Sequence, residues 1–169
     1  SNRLPILLLP GDTYANRMPD PVLQQVEHFN NPGITANDAF KPVTRYFDRI
    51  TRPEQIIQSF PNAVQTMLDP ADCGPACISL SQDIQGQTYD YPEDFFKERI
   101  HSIRRPRPDD FQIKQAAEKI KKSKKPIIIS GGGVFYSDAM EELSNFAIKH
   151  NIPVTQTVMG YSTMKRDHS

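Results

Sequence analysis

The sequence predicts an α/β protein built on parallel sheets, and three observations support that prediction. Short continuous apolar runs, bounded by proline, glycine or aspartate, are typical of strands that are buried on both faces. Stretches with apolar residues at helical spacing lie between these runs, and parallel neighbouring strands need such crossovers. Near the end of the chain a strand, a glycine turn, a helix and another strand follow one another as in a right-handed βαβ unit.

The first half of the chain contains two predicted buried strands with a helix between them. Pro5–Leu9 is an apolar run that leads into a turn, and Pro75–Leu80 is the next strand. From Pro53 to Leu68 apolar residues recur at helical spacing, and proline suits the first helical turn. Pro61 lies inside that helix, where a proline removes a backbone donor and costs about 3 kcal/mol. We therefore expect a kink there, or a break into two short helices.

The second half follows a stretch rich in proline and arginine, residues 92–108, which we interpret as an interdomain linker. Phe111–Lys125 has the pattern of an amphipathic helix ending in a lysine run, and Pro126–Ser130 is a third buried strand. Ser137–Lys149 is predicted as a helix and Ile152–Thr155 as the fourth strand. Four apolar side chains of the last helix are expected to face inward: Met140, Leu143, Phe146 and Ala147.

Composition excludes several classes of function. The 169 residues carry 20 Lys and Arg against 20 Asp and Glu, with a hydrophobic fraction of 37%, which indicates an ordinary soluble protein of one large or two small domains. This balance gives no sign of nucleic-acid binding, and the run Lys121–Lys125 is interpreted as a solvated helix end. No window approaches the roughly 20 apolar residues of a membrane span, and Ser1–Pro5 does not resemble a signal peptide. We therefore expect a cytoplasmic protein with no membrane partner.

Two local motifs are weak indicators of a site. Cys73 and Cys77 have no second ligand pair nearby, so we predict neither a disulfide framework nor a metal site. The turn Gly131–Gly133, between a strand and a helix, could let a phosphate approach the helix N-terminus. It lacks the full dinucleotide-binding pattern, because Tyr136 stands in the place of the third glycine. A purely structural turn is therefore favoured over nucleotide contact.

Three aspartates follow strands or lie in loops, and each is a candidate acid or base: Asp12, Asp38 and Asp83. Without a partner such residues more often serve as caps and turn residues. The four histidines have no ligand spacing: His28, His101, His150 and His168. The residues alone therefore predict two α/β pieces joined by a linker, and no catalytic constellation.

Several segments together resemble the thiamine diphosphate enzymes, a family that includes acetolactate synthase. The segments that carry this resemblance are Pro5–Asp12, Lys41–Arg45, Arg52–Glu54, Gly74–Gln85, Lys125–Val134, Ile152–Thr157 and Lys165–His168. The resemblance implies that residues 1–91 are the C-terminal part of a pyrimidine-binding domain. It implies that residues 109–169 begin a Rossmann-like central domain after the linker at residues 92–108.

Further details narrow the resemblance to one branch of that family. Gly11–Gln25, Thr35–Phe40, Tyr46–Gln55 and Gln82–Gly86 look like an enzyme that hydrolyses a ring C–C bond of a small cyclic dione. The pair Ser81-Gln82 departs from the Pro-Lys of acetolactate synthases, which counts against that alternative. A stand-alone nucleotide-binding module built around the glycine turn stays open as a non-enzymatic alternative.

The resemblance also implies where the chemistry is located in such an enzyme. Thiamine diphosphate and Mg²⁺ would be held by a glutamate upstream of Leu4 and by a Gly-Asp-Gly segment of a later domain, and hard oxygen ligands suit magnesium. This sequence contains no Gly-Asp-Gly, so no catalytic, cofactor-binding or metal residue can be carried onto it. We expect an internal fragment that is inactive alone and binds no cofactor. At most the Phe29–Phe40 loop and the Gln82–Gln85 turn would border a substrate channel.

The same resemblance implies that strands flanking Ile6–Leu9 are missing from this chain. An unpaired apolar sheet edge is a site of self-association. We therefore expect a homo-oligomer, a dimer or larger, in solution.

Overall fold

The structure, a computed structural model, describes residues 3–18 and 30–164. The chain divides into two compact units, residues 1–103 and residues 104–169. The division falls within residues 92–108, and the domain identities inferred from the sequence stay predictions.

The first unit contains a four-stranded parallel sheet. Its strands are β1 (Leu7–Leu8), β2 (Gly11–Asp12), β3 (Tyr46–Ile50) and β4 (Ala76–Ser81). The central strand is β4, with β1 and β2 paired successively along one side and β3 along the other, every pair parallel. The predicted strand Pro75–Leu80 and the predicted parallel sheet are thereby confirmed.

The core of this unit lies between the sheet and helix α1 (Ile56–Leu68). Ile78 of β4 is fully buried, and it clusters with Ile50 of β3 and Ala63 of α1. Strand β4 has strand neighbours along both edges, and its Ala76 and Ile78 pack against Ala63 of α1, so five of its six residues are buried, as the sequence predicts.

The predicted first strand is shorter and more exposed than expected. Only Leu7–Leu8 is assigned to β1, and three flanking side chains of the run are about half exposed: Leu4 at 49%, Ile6 at 45% and Leu9 at 53%. Within the described residues β1 has a strand neighbour on one side only, so one edge of the run is uncovered.

The proline inside α1 does not divide the helix. Ile56–Leu68 is one continuous helix that includes Pro61, so the alternative of a break is wrong, and the alternative of a kink stays a prediction. A short 3₁₀ helix, Pro53–Gln55, precedes it, with proline at the start as expected. Ser59 and Ala63 are buried on either side of Pro61, and their packing against the sheet offsets the lost hydrogen bond.

Five elements of the first unit were not predicted, the first being strand β2, whose residues Gly11–Asp12 were expected in a turn. The other four follow it in the chain. They are β3, the 3₁₀ helix Ala36–Val43, the short helix α2 (Gln82–Gln85) and the 3₁₀ helix Glu93–Phe96. The last lies inside the stretch interpreted as a linker. Its Phe95 and Phe96 belong to an aromatic cluster with Tyr91, whose hydroxyl donates to the carbonyl of Pro53 at 3.2 Å.

The second unit contains a two-stranded parallel sheet and three α-helices among its described residues. In chain order the elements are α3 (Asp110–Lys122), β5 (Ile128–Ser130), α4 (Gly133–Ser137), α5 (Met140–His150), β6 (Val154–Gln156) and the 3₁₀ helix Val158–Gly160. Strand β5 pairs with β6 in parallel, Ile128 opposite Val154. The predicted strand, helix, strand order is therefore confirmed. The predicted burial of the third strand is wrong: Ile127 and Ile129 are 60% and 68% exposed, because a two-stranded sheet offers few neighbouring side chains to cover them.

The predicted helix Ser137–Lys149 corresponds to α5, which begins three residues later at Met140, and α4 before it was not predicted. Asp138 adopts a left-handed conformation with φ 55°, which ends α4 and separates it from α5. Of the side chains expected to face inward, Ala147 is buried, but Met140 and Phe146 are 40% and 39% exposed. A two-stranded sheet is too narrow to cover the whole apolar face of an 11-residue helix. In the part of the chain that the structure describes, no helix is long and apolar enough to cross a membrane.

Candidate functional site

The carboxyl ends of β2, β3 and β4 meet at one edge of the first sheet, and a buried carboxylate lies there. Asp12, the last residue of β2, is fully buried and pairs in register with Ser81. Its Oδ1 accepts the Thr13 backbone N–H at 2.8 Å, and its Oδ2 accepts the hydroxyl of Ser79 on β4. A buried carboxylate needs such partners, because taking an unpaired charge out of water is costly.

Arg49 of β3 supplies the counter-charge. Its Nε donates to Asp12 Oδ2 at 2.7 Å, and its Nη2 donates to Asp38 Oδ2 at 2.9 Å. Nη2 also donates to the hydroxyl of Thr35 at 2.9 Å, and Nη1 donates to the carbonyl of Gly33 at 3.2 Å. One guanidinium thus connects the ends of two strands with the loop before the 3₁₀ helix Ala36–Val43.

That 3₁₀ helix begins with a reciprocal cap. Thr35 is its N-cap, with the hydroxyl accepting the Asn37 N–H at 3.3 Å and the Thr35 N–H donating to Asp38 Oδ2 at 2.6 Å. The amide of Asn37 then donates to the carbonyl of Gly11 at 2.7 Å and to Ser79 Oγ at 2.8 Å. The helix is therefore fastened to both β2 and β4.

Hydrogen bonds in this network keep its acidic and basic groups ionised. The network consists of Asp12, Thr35, Asn37, Asp38, Arg49 and Ser79. Burial alone would raise the pKa of Asp12, but hydrogen bonds from Ser79 and Arg49 outweigh it and leave that pKa lowered. Burial likewise opposes ionisation of Asp38, yet Lys41, the Thr35 N–H and Arg49 bring its pKa to about 2. Burial disfavours the Arg49 charge as well, and the two carboxylates reverse this and raise the Arg49 pKa.

These shifts decide what the network can do chemically. A carboxylate with a lowered pKa stays ionised at neutral pH and is a poor general base or acid. Each oxygen of Asp12 is already occupied by a donor. The arrangement therefore fits a positioning role, in which it fixes the loops where ligands of open parallel sheets bind.

The structure brings together two of the three candidate aspartates. Asp12 and Asp38 share Arg49, whereas Asp83 lies outside the network and accepts the backbone N–H groups of Ala15 at 2.8 Å and Asn16 at 3.2 Å. Sequence reasoning missed Arg49, the residue that joins the first two. The spacing of Thr35 and Asp38 is a capping-box variant that could have located the helix start.

The cysteines and histidines form no site among residues 3–18 and 30–164. Both thiols are free and buried, and burial raises the pKa of Cys73 and of Cys77. No group of three or more His, Cys, Asp or Glu side chains that could hold a metal ion occurs in these ranges. His101 and His150 are exposed, whereas His28 and His168 lie outside the described residues.

The glycine turn of the second unit is packed against its own chain. None of its glycines has a positive φ, and the helix after it, α4, has only five residues. The glycine of this unit that lies against another backbone segment is Gly160, where an added Cβ would lie 2.2 Å from the carbonyl oxygen of Ser130. The hydroxyls of Ser130 and Thr163, 2.5 Å apart, form a hydrogen bond beside this contact. Sequence reasoning missed Gly160.

Two further predictions concern the edge of the first sheet. The Phe29–Phe40 loop is described from residue 30 onward, Phe29 itself lying outside the described residues, and it contains the capped 3₁₀ helix. Gln82–Gln85 is the short helix α2, directly after β4. Both segments lie at the carboxyl ends of the strands, and their contact with a substrate stays a prediction. Lys165–His168 lies outside the described residues.

Comparison with known proteins relates both units to one group of enzymes. The thiamine pyrophosphate enzyme central domain matches residues 113–169. A 3D-(3,5/4)-trihydroxycyclohexane-1,2-dione hydrolase of Clostridium perfringens is 53% identical over 167 residues, which are 99% of this chain and 26% of that protein. The corresponding hydrolase of Bacillus subtilis is 51% identical over 167 residues, with the same shares of each chain. The chain thus spans about a quarter of the length of the curated relatives it matches.

A solved structure supports the fold. Benzoylformate decarboxylase from Polynucleobacter necessarius aligns with a TM-score of 0.74 at 24% identity, over 99% of this chain and 29% of that one. At this identity the likeness shows the fold alone.

Proposed function

We propose that this chain, whose residues 113–169 belong to the central-domain family of the thiamine pyrophosphate enzymes, is an internal part of a 3D-(3,5/4)-trihydroxycyclohexane-1,2-dione hydrolase. The single observation that carries the proposal is 53% identity over 167 residues to a protein of that name. The match covers both units, so it does not depend on the central domain alone. The family resemblance drawn from the sequence is confirmed by the same comparison.

The proposed reaction opens a ring C–C bond of the cyclic dione and yields 5-deoxyglucuronate. When bound, thiamine diphosphate would supply the nucleophilic carbon and the electron sink for such a cleavage. The described residues do not by themselves fit this cofactor and its Mg²⁺. They contain no cluster of carboxylates for a metal ion, and the carboxylate of Asp12 is already paired with Arg49. The ligands of the cofactor are therefore expected elsewhere in the longer protein.

The part of this chain in the enzyme is to position loops. Arg49 fastens the Gly33–Asp38 loop to β2, and Asn37 fastens the following helix to β4. These loops leave the carboxyl edge of the sheet, where ligands of parallel sheets bind. The network thereby holds these loops in one conformation, in which they could border a substrate channel.

The test uses the complete reading frame from which this chain comes. The full protein, supplied with thiamine diphosphate and Mg²⁺, is expected to convert the cyclic dione to 5-deoxyglucuronate, followed by proton NMR. The 169-residue chain alone is expected to be inactive under the same conditions. Formation of acetolactate from pyruvate, without cleavage of the dione, would instead favour the acetolactate-synthase alternative and contradict the proposal.

We further propose that the protein acts in the cytoplasm as a homo-oligomer. The half-exposed Leu4, Ile6 and Leu9 leave an apolar edge beside β1, and such edges are satisfied by association. Light scattering of the 169-residue chain is expected to give a dimer or larger species. A monomeric mass across a wide concentration range would contradict self-association without affecting the proposed activity.

A further inference from the structure

A polar pocket of about 680 Å³ lies in the first unit, apart from the buried network. Its lining includes the polar side chains of Asn16, Thr51, Arg52, Asp83, Gln87 and Thr88. Its volume falls within the range of roughly 300–1,000 Å³ that is usual for small-molecule sites. Its lining is mainly polar, which distinguishes it from an incompletely packed core.

The pocket is assembled from the ends of three strands. Asn16 comes after β2, Thr51 comes directly after β3, and Asp83 to Thr88 come after β4. Strand β4 lies between β2 and β3, although it follows both in the chain, so the strand order reverses at this point. Ligands of open α/β sheets bind outside the carboxyl ends of strands where the order reverses.

The walls of the pocket are fixed by hydrogen bonds. Asp83 accepts the backbone N–H groups of Ala15 and Asn16 through different oxygens, at 2.8 and 3.2 Å. On the other wall the Oε1 of Gln55 accepts the N–H groups of Thr51 and Arg52, at 2.8 and 3.1 Å. Both loops are therefore held in place before any ligand arrives, which lowers the entropic cost of binding.

Arg52 is the cationic group of the pocket. Its side chain is 74% exposed, and its ion pair in the described residues is with Glu54, at 3.7 Å. That separation is too long for a hydrogen bond, so the Arg52 guanidinium can still donate two parallel hydrogen bonds to the carboxylate of a ligand. The pocket also offers hydroxyl and amide groups from Asn16, Thr51, Gln87 and Thr88.

We propose that this pocket binds a small hydroxylated monocarboxylate, such as a sugar acid, with Arg52 pairing the carboxylate. The hydroxyls of the ligand then exchange hydrogen bonds with the amide and hydroxyl side chains of the lining. A dianion such as phosphate is disfavoured, because the carboxylates of Glu54 and Asp83 lie in the same walls. The inference rests on the proposed function, because Asp83 belongs to the Gln82–Gln85 segment that would border the substrate channel and the proposed product is itself a sugar acid. Cleavage of the dione by the full protein tests the activity, whereas glucuronate binding and its loss in Arg52→Gln test the pocket, so either can fail without the other.

The test is an NMR titration of the full 169-residue chain with glucuronate. Saturable shifts are expected at the backbone amides of Asn16, Arg52 and Thr88. Arg52→Gln is expected to weaken binding about tenfold or more, since a charge-assisted pair is lost. The matched control is Arg45→Gln, at the opposite end of β3, where Arg45 pairs with Asp72 at 3.4 Å. This control is expected to bind glucuronate unchanged.

Three results would overturn the proposal. They are the lack of saturable shifts at these amides, equal binding of neutral methyl glucoside, and undiminished binding by Arg52→Gln. Because Arg52 is a surface residue, its substitution is not expected to unfold the unit. Inorganic phosphate serves as a further probe, and binding as tight as that of glucuronate would contradict recognition of a hydroxylated monoanion.

Discussion

Replacing Arg49 by methionine leaves the carboxylate of Asp12 buried without its cation. The substitution removes four hydrogen bonds that Arg49 donates, two of them to the carboxylates of Asp12 and Asp38. Asp12 is fully buried, so water cannot replace the lost partner. Removing one member of a buried pair costs roughly 3–5 kcal/mol, and the 21% exposure of the Arg49 side chain places this case at the lower end of that range. We expect a loss of that size in the free energy of unfolding of the first unit.

A double-mutant cycle separates the unpaired charge from the lost packing. Asp12→Asn removes the charge and keeps the shape, so Asp12→Asn combined with Arg49→Met leaves no buried ion. The double variant is expected to lose less stability than the sum of the singles, by about 1–3 kcal/mol. Arg45→Met is the matched control, and its exposed pair with Asp72 should be worth less than about 1 kcal/mol.

Native-state hydrogen exchange is the suitable assay. The chain contains no tryptophan, and it has two units that need not unfold together. Amides of β4 report the first unit, and amides of β5 serve as the internal control. A cost below about 1 kcal/mol for Arg49→Met, or strict additivity in the cycle, would refute the reasoning that the network is tightly coupled.

Three further predictions concern acid, backbone contact and thiol reactivity. The pKa of Asp38 is lowered to about 2, so the ionised carboxylate contributes on the order of 2 kcal/mol to the free energy of unfolding. This contribution is present above about pH 4 and is lost as the pH falls towards 2. Urea unfolding followed by circular dichroism should show that loss, and Asp38→Asn should flatten it; an unchanged slope would contradict the assignment. Gly160→Ala should cost about 2 kcal/mol or more, because the Cβ meets the Ser130 carbonyl oxygen at 2.2 Å, whereas Gly133→Ala, with no atom within 4 Å, should be nearly neutral. Thermal unfolding compares the two variants, and equal melting temperatures would contradict this prediction. The thiol of Cys77, fully buried and with a raised pKa, should react with a disulfide reagent at neutral pH only in urea, as measured by absorbance; rapid reaction of the folded chain would disprove this.

The elements that the sequence predicted are those with strong local patterns. The strand around Ile78 and the strands at Pro126–Ser130 and Ile152–Thr155 are continuous apolar runs, and their parallel pairing followed from the helical stretches between them. Strand β3 escaped detection because Tyr46–Ile50 mixes aromatic and charged residues and has no apolar run. Its place beside β4 depends on pairing with residues about 30 positions later in the chain.

The family resemblance also came from the sequence, since it rests on segments distributed over nearly the whole chain. By contrast, the sequence could not show that Asp12 and Asp38 share one cation. Arg49 is 37 residues from Asp12 and 11 residues from Asp38, and nothing in their spacing links them.

What the sequence by itself determined is therefore the α/β class, the parallel pairing and the resemblance to thiamine diphosphate enzymes. Only the tertiary structure decided that the partly buried Arg49 joins the carboxylates of Asp12 and Asp38, and that Gly160 lies against Ser130. The physical reason is that strand patterns are local properties of the chain, whereas ion pairs and close backbone contacts form between distant residues that only the sheet brings together.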